Sequence, residues 1–122
     1  MICQREETVV TETRLREFEE LVLLAVLVTA PEAYGPSIQE ALARDAGRDV
    51  SLGAIYTALD RLTRKGWVRS EMGDPTPVRG GRRKRHYEVT EAGLLEVEEA
   101  RRIRERLWAR TNPQALEGGR MR

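Results

Sequence analysis

Apolar residues recur along this chain first at helical spacing, then in alternation, then at helical spacing again. Leu15, Phe18, Val22, Ala25 and Val26 fall on one helical face and predict a first helix over about 11–29. Residues 21–28 are apolar on nearly every side, which predicts burial from two directions, by the domain's own core and by a second surface such as another subunit. Pro31, Gly35 and Pro36 end this helix. Ser37 reads as the cap of a second helix over 38–46, with Ile38, Ala41 and Leu42 inward and Gly47 closing it. A third helix opens on Ser51, a good N-cap, and stops at Gly66. At about 100° per residue, Leu52, Ile55, Leu59 and Leu62 cluster within about 80° of one another. Ala54, Thr57, Arg61, Arg64 and Lys65 lie opposite them.

The period then changes to two. Residues 67–72 and 84–89 predict strands, and the glycines and prolines between them, from Gly73 to Gly81, make a long turn. Thr90, followed by Glu91 and Gly93, opens a fourth helix to about residue 110. Its stripe of Leu94, Val97, Ala100, Ile103, Leu107 and Trp108 is broad, while Glu98 and Arg102 make an i,i+4 pair outside. Asn112 and Pro113 end that helix, and residues 111–122 read as a disordered tail.

Charge adds what periodicity cannot. The net charge is only +1, but residues 76–87 hold five fixed cations and no acid, and residues 5–20 hold six acids against three cations. Such asymmetry predicts one basic face rather than a uniformly neutral surface. The single cysteine, Cys3, excludes an internal disulfide and reads as an incidental thiol of a reducing compartment. The polar N-terminus predicts no secretory signal, and the longest apolar run is too short to span a bilayer, so the expected location is the cytoplasm, with no membrane contact. The lone histidine, His86, lies in the hairpin, which leaves no Ser–His–Asp or Cys–His arrangement. No phosphate loop and no Cys/His cluster for a metal are present, so neither an enzyme nor a cofactor is expected.

Three helices followed by a hairpin predict a mostly α fold with a β-hairpin wing: a winged helix-turn-helix over 1–90, with a C-terminal dimerisation helix over 91–110. In that frame the third helix enters the major groove of duplex DNA and the wing contacts the backbone. Ala54, Thr57 and Arg61 are the candidates for the base-facing side, with Ser51 at the helix start. Arg64, Lys65, Arg82, Arg83, Lys84 and Arg85 are the candidates for phosphate. Strand alternation sends successive wing cations to opposite faces, so two or three of the four can meet one ligand. Two readings of Tyr56 stand: a structural ring, or a ring half buried with its hydroxyl on a phosphate.

The segment LGAIYTALDRLTRKGWV, the wing PVRGGRRKRHYEVTEAG and the helix after it resemble the PadR family of bacterial transcriptional regulators. Tyr56, Leu59, Leu62, Gly66, Gly81 to Lys84, Tyr87, Thr90 and Gly93 fall in the family order, and the resemblance covers roughly 21–108. It implies a homodimeric repressor of the short form, in which the C-terminal helix packs on the partner's N-terminal helix. The candidates for that interface are Leu15, Phe18, Val22, Val97, Ala100, Ile103, Leu107 and Trp108. The apolar stripe supports the dimer separately, because Ile103, Leu107 and Trp108 would be exposed without a cover. A two-fold protein should read a pseudo-palindromic operator. Trp108 has two readings, packing the dimer or lining a pocket for a small planar aromatic effector, as the resemblance implies for some short members. A winged helix used for protein contacts is the other rival, and its wing should be uncharged or acidic. His86 departs from the family pattern and reads as a surface or phosphate-adjacent residue.

Overall fold

Five helices and one hairpin make up residues 15–73 and 84–121, the part of the chain that the computed structural model describes. Helix α1 spans Glu17–Thr29, α2 Gly35–Ala46 and α3 Leu52–Arg64. Strands β1 (Val68–Met72) and β2 (Arg85–Val89) follow, then α4 (Glu91–Ala109) and α5 (Pro113–Arg120). Cys3, the start of the expected first helix, Arg82 and Arg83 lie outside the described residues.

The core forms where the first three helices meet the base of the hairpin. Val22, Leu23 and Val26 of α1, Ile38 and Leu42 of α2, and Ile55, Leu59 and Leu62 of α3 are all buried, closed below by Trp67 and Val68. Leu52, expected inside, is 37% exposed at the rim, and Ala58, at 4%, takes a place in the core instead.

Local chemistry sets the helix ends. Ser51 Oγ accepts the Ala54 N–H at 3.1 Å, a cap worth about 1 kcal/mol. At the other end of α3, the Trp67 N–H reaches Leu62 O and the Gly66 N–H reaches Thr63 O, both at 3.0 Å. This is the paired carbonyl closure that needs a left-handed residue, and Gly66 has φ 81°. Helix α2 starts at Gly35 rather than at Ile38, because Ser37 caps from inside: its Oγ accepts the Tyr34 N–H at 3.0 Å and donates to Glu32 O at 2.7 Å.

Strands β1 and β2 pair antiparallel with Val68 opposite Val89 and Met72 opposite Arg85. The Tyr87 N–H also donates to Ala33 O at 2.8 Å, tying the hairpin to the segment between α1 and α2. Around Trp67, three hydrogen bonds of Thr90 converge. Thr90 N–H donates to Trp67 O at 3.0 Å, Thr90 Oγ1 donates to Gly66 O at 2.7 Å, and the same oxygen accepts the Gly93 N–H at 3.1 Å. The threonine thus caps α4 and clips its start to the end of α3.

Beyond Val97, α4 leaves the core: from Arg101 to Ala109 every residue is exposed, although Arg104 pairs with Glu20 of α1. The expected disordered tail is corrected over Pro113–Arg120, which is helical: Asn112 Oδ1 accepts the Gln114 N–H at 2.8 Å and Pro113 sits in the first turn, so the pair that stops one helix starts the next.

Candidate nucleic-acid interface

The face of α3 that points to solvent follows from what the core takes. With Ile55, Ala58, Leu59 and Leu62 buried, the opposite line along the helix passes through Gly53, Thr57, Asp60 and Arg64, all exposed. Ala54 and Arg61, expected at the centre of the base-facing side, are exposed on one flank of this line, and Tyr56 and Thr63 on the other. Asp60 was not among the sequence candidates. Counting Ala58 into the core would have found it, since that one small residue swings the outward direction toward position 60.

Tyr56 is 44% exposed, and its hydroxyl end abuts the start of α2: a Cβ on Gly35 would lie 2.2 Å from the phenolic oxygen. A glycine at that position lets the ring lie across the helix junction, which favours a structural role for the ring with one edge in solvent. Between α3 and the hairpin runs an open cleft of about 560 Å³, lined by Tyr56, Thr57, Asp60, Ser70, Arg85 and Tyr87, among others. Arg85 Nη1 donates to Ser70 Oγ at 3.0 Å across the strands. Burial pushes the Tyr87 phenol up, against the opposing influence of Arg85, so the hydroxyl stays a hydrogen-bond donor at neutral pH.

Strand alternation divides the hairpin into two faces of different charge. Ser70, Tyr87, Met72 and Arg85 share the face toward α3. Arg69, Glu71, His86 and Glu88 share the other, where Arg69 pairs with Glu88. Lys84 turns to that second side, its Nζ 4.5 Å from the centre of the Tyr34 ring. His86, expected at the surface, is half buried: it stands edge-on to Tyr34 at 6.0 Å and 3.8 Å from a Glu32 carboxylate oxygen.

Lys65 requires a correction. Expected on the phosphate side, it folds back under the helix end, with a side chain only 14% exposed. Its Nζ lies 2.8 Å from Glu19 Oε1 and 5.2 Å from the centre of the Trp67 ring. Glu19 is itself buried and also accepts the Arg16 N–H at 3.0 Å. Desolvating a carboxylate is costly without a cation, and Lys65 is that cation. Ser51 is exposed, but its oxygen is engaged as the helix cap.

The interface candidates also divide. Val22 at 0% and Val97 at 5% exposure belong to the protomer's own core, a correction to their expected place between subunits. Leu15, Phe18 and Ala100 are half buried. Ile103 at 44%, Leu107 at 68% and Trp108 at 65% are exposed, as are Leu24, Leu27 and Leu94. Leu24, Leu27, Leu94 and Val97 line an apolar groove of about 240 Å³ between α1 and α4. Among the described residues no group of His, Cys, Asp and Glu could hold a metal ion, and no helix is long and apolar enough to cross a membrane.

A three-helix core, a capped outer helix and a hairpin packed beside it define a winged helix-turn-helix regulator fold. The sequence profile of the transcriptional regulator PadR-like family matches residues 23–99, more than half of the chain, and the chain belongs to that family, one of regulators rather than enzymes. No curated protein matches the sequence. Among solved structures, a Streptococcus transcriptional regulator is 26% identical, with a TM-score of 0.60 over 84% of this chain and 91% of that one. A transcriptional regulator from Clostridium thermocellum is 18% identical, with a TM-score of 0.61 over 75% of this chain and 82% of that one. Bacillus subtilis PadR, solved in complex with operator DNA, is 18% identical with a TM-score of 0.56; 80% of this chain matches 49% of that longer protein.

Proposed function

We propose that this protein is a homodimeric repressor of the cytoplasm that binds a pseudo-palindromic operator in double-stranded DNA through α3 and the hairpin. The observation that carries the reading is the joint surface of α3 and β2. The small residues Gly53, Ala54 and Thr57 lead the helix, Arg61 and Arg64 follow, and Arg85 stands across the cleft, with the hairpin's Glu71 and Glu88 on the far face. Small side chains let a helix sink into the major groove, and arginines behind them reach phosphates as it does so. The operator complex of Bacillus subtilis PadR, which shares the fold, supports it.

Anisotropy titrations on labelled duplex, repeated over a range of salt, test this division of labour. Arg64→Ala should weaken binding to every duplex about equally and reduce the salt slope by about one. Thr57→Ala should leave the salt slope in place and change the preference among sequences. Equal losses on specific and random DNA in both variants would contradict the assignment.

The second subunit is read from the uncovered apolar side chains of α1 and α4. A helix of 19 residues with Ile103, Leu107 and Trp108 in solvent is covered if it lies in the α1/α4 groove of a second copy. Ile103→Glu places a charge in that contact and should leave a folded monomer at micromolar concentration in analytical ultracentrifugation. A variant that sediments as the parent dimer would remove α4 from the interface.

A further inference from the structure

Asp60 is the one carboxylate on the outward line of α3, and an acid there opposes the task proposed for the helix. Its side chain is 72% exposed and pairs with Arg64, one turn further on, at 3.4 Å. It also faces the cleft shared with Thr57, Arg85 and Tyr87. A carboxylate brought against a polyanion repels it, and the arginine one turn further on offsets only part of that repulsion. The repulsion reverses where the carboxylate meets a hydrogen-bond donor; in the major groove cytosine offers its N4 amino group with no acceptor on the same base edge, whereas adenine sets the N7 acceptor beside its N6 amino group, which an acceptor-only carboxylate cannot satisfy. Position decides between backbone and base. Gly53 and Thr57 precede Asp60 on the same line and carry little bulk, so this is the line that approaches the groove floor most closely.

We infer that Asp60 is a specificity residue: its carboxylate accepts a hydrogen bond from the N4 amino group of a cytosine in each half-site, and it repels sequences that place an acceptor there. The inference rests on the DNA reading above and adds the base that α3 selects.

Selection from a random duplex pool, sequenced for the parent and for Asp60→Asn and Asp60→Ala, tests it. Asp60 is exposed, so both variants keep the core intact. The parent should enrich cytosine at one position of each half-site by about ten-fold over the other bases. Asp60→Asn should move that position toward adenine, whose N6 and N7 suit an amide. Asp60→Ala should level the position and bind random duplex a few-fold more tightly, because a repulsive charge is gone. A parent motif that persists unchanged in both variants overturns the assignment to Asp60 alone. Uniform weakening with unchanged base weights also overturns it, since Asp60 would then only orient Arg64. A parent pool that yields no motif overturns the DNA reading and the role of Asp60 together.

Discussion

Gly93→Ala should cost this protein about 3 kcal/mol of stability, a loss of roughly 10 °C in Tm. A Cβ at that position would lie 2.1 Å from the Trp67 carbonyl oxygen and 2.9 Å from its carbon, far inside van der Waals contact. Both are backbone atoms at the hinge between α3 and β1, so no side-chain rotation relieves the clash. The start of α4 would have to back away, and the Thr90 N–H bond to Trp67 O and the Thr90 hydroxyl bond to Gly66 O would go with it. Gly118→Ala, which meets nothing within 4 Å, is the control and should change stability by less than about 0.5 kcal/mol. Thermal unfolding of the two variants side by side checks this, and equal behaviour would mean that α4 does not dock through Gly93. The spacing of Thr90 and Gly93 in the sequence therefore has a steric reason: one residue caps the helix, and the other lets it approach the backbone it is clipped to.

Lys65→Met should lose a similar amount, about 3 kcal/mol, for an electrostatic reason. It leaves the Glu19 carboxylate, whose side chain is 3% exposed, buried without its cation, and one of its oxygens already has no hydrogen-bond partner among the described residues. Glu19→Gln in the same chain removes the charge while keeping an oxygen for the Arg16 N–H, so the double variant should recover most of the loss. A coupling of about 2 kcal/mol in the double-mutant cycle is the expected result of denaturant titrations. The salt slope of DNA binding should stay that of the parent. A slope lowered by about one, with stability retained, would return Lys65 to the phosphate-contact set.

How far the sequence revealed this arrangement depended on the range of the interactions involved. Ser51 and Gly66 bound α3 through bonds within a few residues of each, and the strands alternate regularly, so both were legible. The direction of Lys65 was not, because its partner lies 46 residues earlier and nothing near position 65 announces it. Val22 and Val97 show the limit of periodicity in another way. A pattern identifies a buried position but not whether the cover is the same chain or a second copy, and here the protomer covers both. Asp60 was lost to a small residue: Ala58 counts as neutral on a wheel, yet at 4% exposure it is core, and it turns the outward direction toward the acid, bringing it onto the outward face. The start of α2 was missed because its backbone cap comes from Ser37, inside the helix, rather than from the residue before it. In α5, Asn112 and Pro113 were read as a stop, although the same two residues in the same order are a start.

The most direct test of the account is the wild-type protein's own choice among random duplexes. Selection at moderate salt should yield two inverted half-sites with centres about 10 base pairs, or a multiple of that, apart, bound with an affinity that falls steeply as salt rises. A single unpaired half-site would contradict the two-fold assembly, and a pool that stays random through successive rounds would contradict α3 and the hairpin as a reader of DNA sequence.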